Sequence, residues 1–304
     1  MIVVVRNLSH SYGPRAALSD VGFAVPRGSI FGVLGPNGGG KSTLFRILST
    51  LLSPRSGSVE IDGLPIDAKP SEVRRRIGVV FQSQSLDRKL TVRENMDSQG
   101  RLFGLSGTIL RERIDEALVR LGLADRASDL VATLSGGLKR RVEIAKALLH
   151  KPSVLLMDEP STGLDPSVRF ELWKHLEELR VRESVTILVT THILEEAERC
   201  DQLLMLHQGR VVRAGTPADL KATVGGDVLD LGARNAEELY ARLTEHFAVL
   251  PLRINGRLRL EVPEGDRFLA RILTAFPGLV DSVSLRKPTL EDVFLSETGS
   301  RLGE

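Results

Sequence analysis

The run Gly35, Pro36, Asn37, Gly38, Gly39, Gly40, Lys41, Ser42 has the types and spacing of a phosphate-binding loop. It fits G-x-x-x-x-G-K-[ST], in which glycines let the backbone fold tightly enough for several N–H groups to face one anion. A helix beginning near Lys41 adds its positive end. Lys41 brings a mobile ammonium to the outer phosphates, the Ser42 hydroxyl can ligate Mg²⁺, and Thr43 follows on the same helix. Far along the chain, Asp158 and Glu159 end the apolar run Val154–Met157. Carboxylates at the end of a buried strand are costly unless they meet a cation or do chemistry. Asp158 fits a Mg²⁺-holding acid and Glu159 a base that polarises an attacking water. Together these residues describe a site for a nucleoside triphosphate.

Four further features carry a chemical and a bland reading side by side. Gln82 ends an apolar run, where an amide can hold a metal-bound water or simply face solvent. Leu134-Ser135-Gly136-Gly137 opens a helix, so Ser135, Gly136 and Gly137 could receive an anion, or Ser135 could only cap. His192 follows Thr190-Thr191 at another strand end and could donate to a γ-phosphate, although a lone histidine is usually structural. Tyr12 could stack on a base or pack as a surface aromatic.

These candidates need strands that end together, and the pattern supplies them. The apolar runs Ile30–Leu34, Ile77–Phe81, Val154–Met157 and Val185–Val189 read as buried strands, each followed by a candidate residue. Ile2–Ser9, Leu18–Val25 and Ser58–Ile61 read as further strands, with Tyr12 in a turn beside Gly13 and Pro14. Thr43–Leu52 reads as helix, and Ser71 as the cap of a short basic helix, Glu72–Arg76. From about residue 91 to 150 the periodicity is helical, as in a subdomain inserted into an α/β core. Asp165 caps the next helix with Pro166 at its first position. Beyond residue 222 the order β-α-β-β-α-β is that of a small ferredoxin-like α+β domain, with Ala248–Ile254 as its second strand and Thr289 capping a last helix. The expected domains are therefore 1–222 and 223–304.

Whole-chain properties exclude several classes. The 304 residues are 42% hydrophobic and 26% charged, with net charge +2, which calls for no nucleic acid. The clusters Arg74-Arg75-Arg76 and Lys139-Arg140-Arg141 read as solvated helix faces. A single cysteine, Cys200, forms no internal disulfide and fits a reducing compartment. No run has the length of a membrane span, and the first residues lack signal-peptide character. A role at a membrane then requires another chain to do the crossing.

Taken together, the residues resemble the ATP-binding subunits of ABC transporters over Ile2 to about Lys221. Gly35–Ser42 resembles the Walker A loop, Gln82 the Q-loop and Leu134–Gly137 the signature. Val154–Asp158 resembles Walker B with Glu159 as its acid, Gly163–Asp165 the D-loop, His192 the switch histidine and Tyr12 the base-stacking aromatic. Leu138 stands where the signature commonly has Gln, and Gly39 where the loop often has Ala. The tail Pro288-Thr289-Leu290-Glu291-Asp292-Val293-Phe294 resembles that of the type-2 drug, polysaccharide and lipo-oligosaccharide exporters. The resemblance implies a P-loop core of ABC type with an antiparallel β subdomain and a helical insert. It also implies ATP and Mg²⁺ as ligands and a head-to-tail dimer in which each ATP lies between one copy's Walker A loop and the other's signature. Ser42, Gln82 and Asp158 would hold Mg²⁺. A separate integral membrane permease would be driven from the cytoplasmic face of the membrane. The competing readings are a soluble ABC ATPase of translation or DNA repair and a module that ATP only switches.

Overall fold

The chain first reverses at Gly13-Pro14. β1 (Val3–Tyr12) and β2 (Arg15–Val25) pair antiparallel, with Tyr12 facing Arg15 across the turn and Gly13 left-handed at φ 57°. Tyr12, expected in the turn, is thus the last residue of its strand. β3 (Ile30–Leu34) is buried at every position and runs into the phosphate loop. α1 (Lys41–Leu48) leaves that loop and ends earlier than the apolar pattern suggests, with Thr50 left-handed at φ 61°. It buries Leu44, Phe45, Ile47 and Leu48 in a cluster shared with β1, β2 and β3, each side chain contributing about 1.5–3 kcal/mol of transfer free energy.

β4 (Ser56–Ile61) and β5 (Leu64–Pro65) complete an antiparallel sheet of order β2-β1-β4-β5. α2 (Pro70–Arg76) starts one residue before Ser71, which therefore lies inside the helix and does not cap it. Proline, with no N–H to satisfy and φ already helical, takes the first position instead. After β6 (Ile77–Val80) come α3 (Val92–Leu102), α4 (Gly107–Arg120) and α5 (Gly136–Leu148). A capping box at Thr91 and Glu94 opens α3, and Ser135 caps α5 by accepting from the Leu138 amide.

β7 (Val154–Asp158), α6 (Pro166–Glu183), β8 (Thr186–Thr191), α7 (Leu194–Ala197), β9 (Gln202–His207) and β10 (Arg210–Gly215) finish the first unit. Its second sheet has the order β10-β9-β3-β8-β7-β6. The neighbours β6-β7-β8-β3-β9 run parallel and β10 is antiparallel to β9. The carboxyl ends of β3, β6, β7 and β8 therefore share one edge, which is where Gly35, Gln82, Glu159 and His192 begin their loops. Asp165 occupies the N-cap position of α6 but its side chain makes no capping hydrogen bond; Pro166 starts that helix without it.

The structure is a computed structural model that describes residues 1–300 and 302. Contacts divide it into a first unit, Met1–Thr216 together with Leu302, and a second beginning at Pro217, six residues before the boundary expected at 222/223. The second unit holds α8 (Pro217–Ala222), β11 (Asp227–Gly232), α9 (Ala236–Phe247), β12 (Leu252–Ile254), β13 (Arg257–Val262), α10 (Gly265–Ala275), β14 (Ser282–Arg286) and α11 (Leu290–Thr298). Its sheet is antiparallel throughout, in the order β12-β13-β11-β14. Leu229, Leu231, Leu258 and Leu260 pack against Leu239 and Leu243 of α9 and Ile272 of α10. The strand expected from Ala248 is only Leu252–Ile254, because Ala248, at φ 54°, closes α9. Among the described residues no helix is long and apolar enough to cross a membrane.

Candidate functional site

The phosphate loop is shaped by what surrounds it. Gly40, at φ 107°, is the N-cap of α1, and a Cβ there would lie 2.8 Å from the Ala17 carbonyl oxygen. Glycine is required at this point both by conformation and by space. Gly39 is tight as well: a Cβ would lie 3.0 Å from the Pro36 oxygen. Beyond Gly40 the first-turn amides of α1 have no intrahelical acceptor by construction.

Lys41 is only 3% exposed. Its Nζ donates to the carbonyls of Gly35 (2.7 Å) and Pro36 (3.0 Å) and lies 3.2 Å from Glu159 Oε1. Glu159 sits one residue past β7 with φ 44°, a conformation that costs a residue with a Cβ about 1–3 kcal/mol and that recurs at functional sites. Two bonds hold it there, as its amide donates to Thr190 O (3.1 Å) and Thr190 Oγ1 (3.0 Å). Its carboxylate accepts from Gln82 Nε2 (3.3 Å) and Thr162 Oγ1 (3.2 Å), and His192 Nδ1 lies 3.3 Å away. Burial pushes the Glu159 carboxyl up, but the charges and hydrogen bonds of Lys41 and His192 outweigh it and leave the pKa below the ordinary value.

Asp158 differs. Burial dominates and, with the Glu159 charge, raises its pKa against the Thr190 hydrogen bond (2.5 Å) and the charges of Lys41 and Arg46. A carboxylate so placed is relieved by a cation, and Ser42, Asp158 and Gln82 together offer only hard oxygens, the donors Mg²⁺ takes. The residues present thus fit the metal.

A cavity of about 620 Å³ lies against this loop, lined by Tyr12, Asn37, Gly38, Gly40, Lys41, Ser42, Thr43, Gln82 and Glu159 among others. Tyr12 is 45% exposed at its wall. Arg15, Ala16, Ala17, Gln208 and Gly209 also line it, and none was marked in the sequence; hairpin positions carry no local sign of what they face. Gly35, Pro36 and Gly39 of the loop, and Asp158 and His192 beside Glu159, do not line it either, though they adjoin residues that do. Four other predicted residues, at the starts of two helices, are not among its lining. Ser135 and Gly136 are exposed and Gly137 is buried at the start of α5, and Asp165 is exposed at the start of α6.

Sequence also missed two buried carboxylates. Glu196, 1% exposed, accepts from Ser161 Oγ and from Thr191 Oγ1 (2.6 Å), joining the loop after Glu159 to the strand before His192. Glu143, 3% exposed, pairs with Arg140 at 2.9 Å. Arg140 is itself 7% exposed, so the cluster Lys139-Arg140-Arg141 is not a solvated face: its middle residue points inward and finds acceptors there. Cys200 is buried with its thiol against the Glu196 carbonyl.

Comparison with known proteins gives this arrangement relatives. The ABC transporter family pattern matches residues 18–162. The "Daunorubicin resistance ATP-binding protein DrrA3" of Streptomyces coeruleorubidus is 41% identical over 98% of this chain and 96% of its own length. The "Nod factor export ATP-binding protein I" of Cupriavidus pinatubonensis is 38% identical over 99% of this chain and 92% of its own. Among solved structures, cbiO1 from Clostridium perfringens, part of the ABC transporter complex cbiONQ, has a TM-score of 0.69 at 31% identity, covering 81% of this chain and 96% of that one. The dimeric post-hydrolysis ATP-binding cassette MJ0796, bound to ADP and Pi, has a TM-score of 0.63 at 31% identity over 70% of this chain and 98% of that one.

Proposed function

Because the chain belongs to the ABC transporter family and is one of its ATPases, we propose that it closes head-to-tail on a second copy of itself and drives a separate membrane permease in export. The observation that carries this reading is the Glu159 carboxylate, held 3.2–3.3 Å from Lys41, Gln82 and His192 beside the phosphate loop.

The loop amides from Gly35 to Thr43 and Lys41 bind the phosphates, and Tyr12 stacks on the base. Ser135, Gly136 and Gly137 serve the cavity of the second copy, with Asp165 in the same interface; that none of them lines this chain's own cavity supports that assignment. Ser42, Gln82 and Asp158 would hold Mg²⁺, which when bound would offset the charge of the phosphate oxygens. Glu159, ionised at neutral pH by its lowered pKa, takes a proton from the attacking water. His192 then steadies the γ-phosphate side of the site. Closure on ATP and opening after hydrolysis pass to the permease through the helical insert and Gln82. The order β-α-β-β-α-β supports reading the second unit as a ferredoxin-like accessory domain. The relatives' names speak of daunorubicin resistance and of Nod factor export, which supports a role in export; the ATPase would act from the cytoplasmic face of the membrane, and with such different compounds in the names, cargo choice falls to the permease.

Glu159→Gln tests the reading. The variant should bind ATP, accumulate as a dimer on size exclusion, and lose about 10²- to 10⁴-fold in turnover, the range a positioned base supplies. Near-normal hydrolysis by the purified variant refutes it. Co-purification with a polytopic membrane protein encoded alongside tests the partner.

A further inference from the structure

Three charged side chains on one face of α5 end on a single stretch of backbone. Positions 140, 143 and 146 are three apart, so their side chains stack along one side of the helix. Arg140 Nη1 donates to the Phe81 carbonyl at 2.6 Å, and Nη2 to the Gln82 carbonyl at 3.2 Å. Glu143 Oε1 accepts from the Ser85 amide at 2.7 Å. Lys146 Nζ donates to the Ser85 carbonyl at 2.9 Å. Arg140 Nη1 and Glu143 Oε2, 2.9 Å apart, close the set.

The held loop is exposed from Gln82 to Ser85, whereas Arg140 and Glu143 are buried. Exposed loop backbone can be satisfied by water alone. Here it is satisfied by charged side chains, of which Arg140 and Glu143 are buried and Lys146 half-buried, and taking a charge out of water is costly unless it is paired. Such a pair is weak as a source of stability and strong as a device for fixing geometry. The guanidinium fork adds direction, since its two nitrogens reach successive carbonyls.

We propose that Arg140, Glu143 and Lys146 are positioning residues that make the placement of Gln82 in the nucleotide cavity follow the orientation of α5. The inference rests on the function proposed above and deepens it. Gln82 serves one composite site, while Ser135, Gly136 and Gly137, at the start of the same α5, serve the other. The clamp therefore joins the two sites through one helix. An altered seat for Ser135–Gly137 in the second copy's site shifts Gln82 relative to Glu159 in this chain's own.

A double-mutant cycle on the full-length chain tests this. Arg140→Gln keeps a long polar side chain and removes the fork. Its kcat should fall about 10- to 100-fold, the scale of loss when a reacting group is displaced by an ångström. In a Gln82→Ala background, followed in single turnovers, the same substitution should change kcat by about twofold at most, because a residue acting through Gln82 has nothing left to position. The loss of thermal stability should be equal in the two backgrounds. Losses in kcat that multiply across the backgrounds overturn the proposal and leave Arg140 a structural role only. Should Arg140→Gln fail to fold, Arg140→Lys replaces it; it reaches one carbonyl, should give an intermediate rate, and overturns the proposal if its rate is wild-type. Failure of Glu159→Gln to dimerise on ATP would instead remove the two-copy reading, a result the cycle in kcat does not depend on.

Discussion

Replacing Asp292 by Asn should loosen one end of the second unit and leave the nucleotide site alone. Asp292 is 1% exposed at the start of α11. Its carboxylate takes Arg259 Nη1 at 3.0 Å, both terminal nitrogens of Arg286 (Nη2 at 2.7 Å), the Thr289 amide at 2.8 Å and the Thr289 hydroxyl at 2.7 Å. Burial pushes the carboxyl up, and the bonds from Arg286 and Thr289 more than reverse it, bringing the pKa from 3.8 down to about 2. That shift corresponds to about 2 kcal/mol at 1.36 kcal/mol per unit. An Asn amide turns N–H groups toward arginines that are themselves donors, and Arg286 loses its closest partner; breaking a buried pair costs about 3–5 kcal/mol when nothing replaces it. Asp230 remains for Arg259 at 2.8 Å and for Arg286 at 3.8 Å, so the loss is partly replaced and the cost falls below that range, to about 2–3 kcal/mol. Amide hydrogen exchange in α11 should then quicken about 30- to 150-fold, with peptides spanning Gly35–Ser42 unchanged. The pH dependence follows from the direction of the shift. With the folded pKa lowered, the contribution is complete above pH 3.8 and is lost as pH falls toward 2. Wild-type α11 should lose protection across that window, and Asp292→Asn should lack this acid-dependent part. A change below about threefold, or equal quickening in both units, would refute the reasoning.

Three further outcomes are expected. Gly40→Ala places a Cβ 2.8 Å from the Ala17 carbonyl oxygen at a φ of 107°, so ATP affinity measured with a fluorescent analogue should drop at least about tenfold, and an unchanged Kd contradicts the assigned cradle. Tyr12→Ala should cost about 1–3 kcal/mol of nucleotide affinity, equally for ATP and GTP because stacking tolerates any base, while Tyr12→Phe stays near wild type; equal losses in Phe and Ala variants point to the hydroxyl instead. Burial, with the charges of Glu196 and Asp201, pushes the Cys200 thiol up, so a disulfide reagent should react slowly with the folded chain and stoichiometrically in denaturant. Rapid reaction of the native protein would show the thiol to be open.

The parts legible in the sequence are those whose physics is local. A phosphate loop works through eight consecutive residues, and a parallel strand buried on both faces leaves an unbroken apolar run, so Gly35–Ser42, Gln82, Glu159 and His192 could be set at the ends of strands. The errors lie where two local rules compete or where the partner is distant. Ser71 is a good cap, yet Pro70 takes the first helical position. Ala248 looks like the start of a strand, yet it closes α9 in a left-handed turn. Glu196 depends on hydroxyls 35 and 5 residues away.

Arg140 is the sharpest case, because its surroundings carried the answer in a form that a charge count discards. A run of Lys139-Arg140-Arg141 on a helix is ordinarily solvated. But α5 also buries Val142, Ile144, Ala145, Ala147 and Leu148, which at 3.6 residues per turn spread over well more than half of its circumference. A helix that is apolar on most sides is enclosed, and a charge on an enclosed helix must find acceptors or lose its charge. Arginine keeps its charge under almost any burial, so acceptors had to exist. The carbonyls of Phe81 and Gln82, 59 and 58 residues back in the chain, are those acceptors. The pattern could demand them without saying where they were, and the fold places them at the loop that carries Gln82 to Glu159.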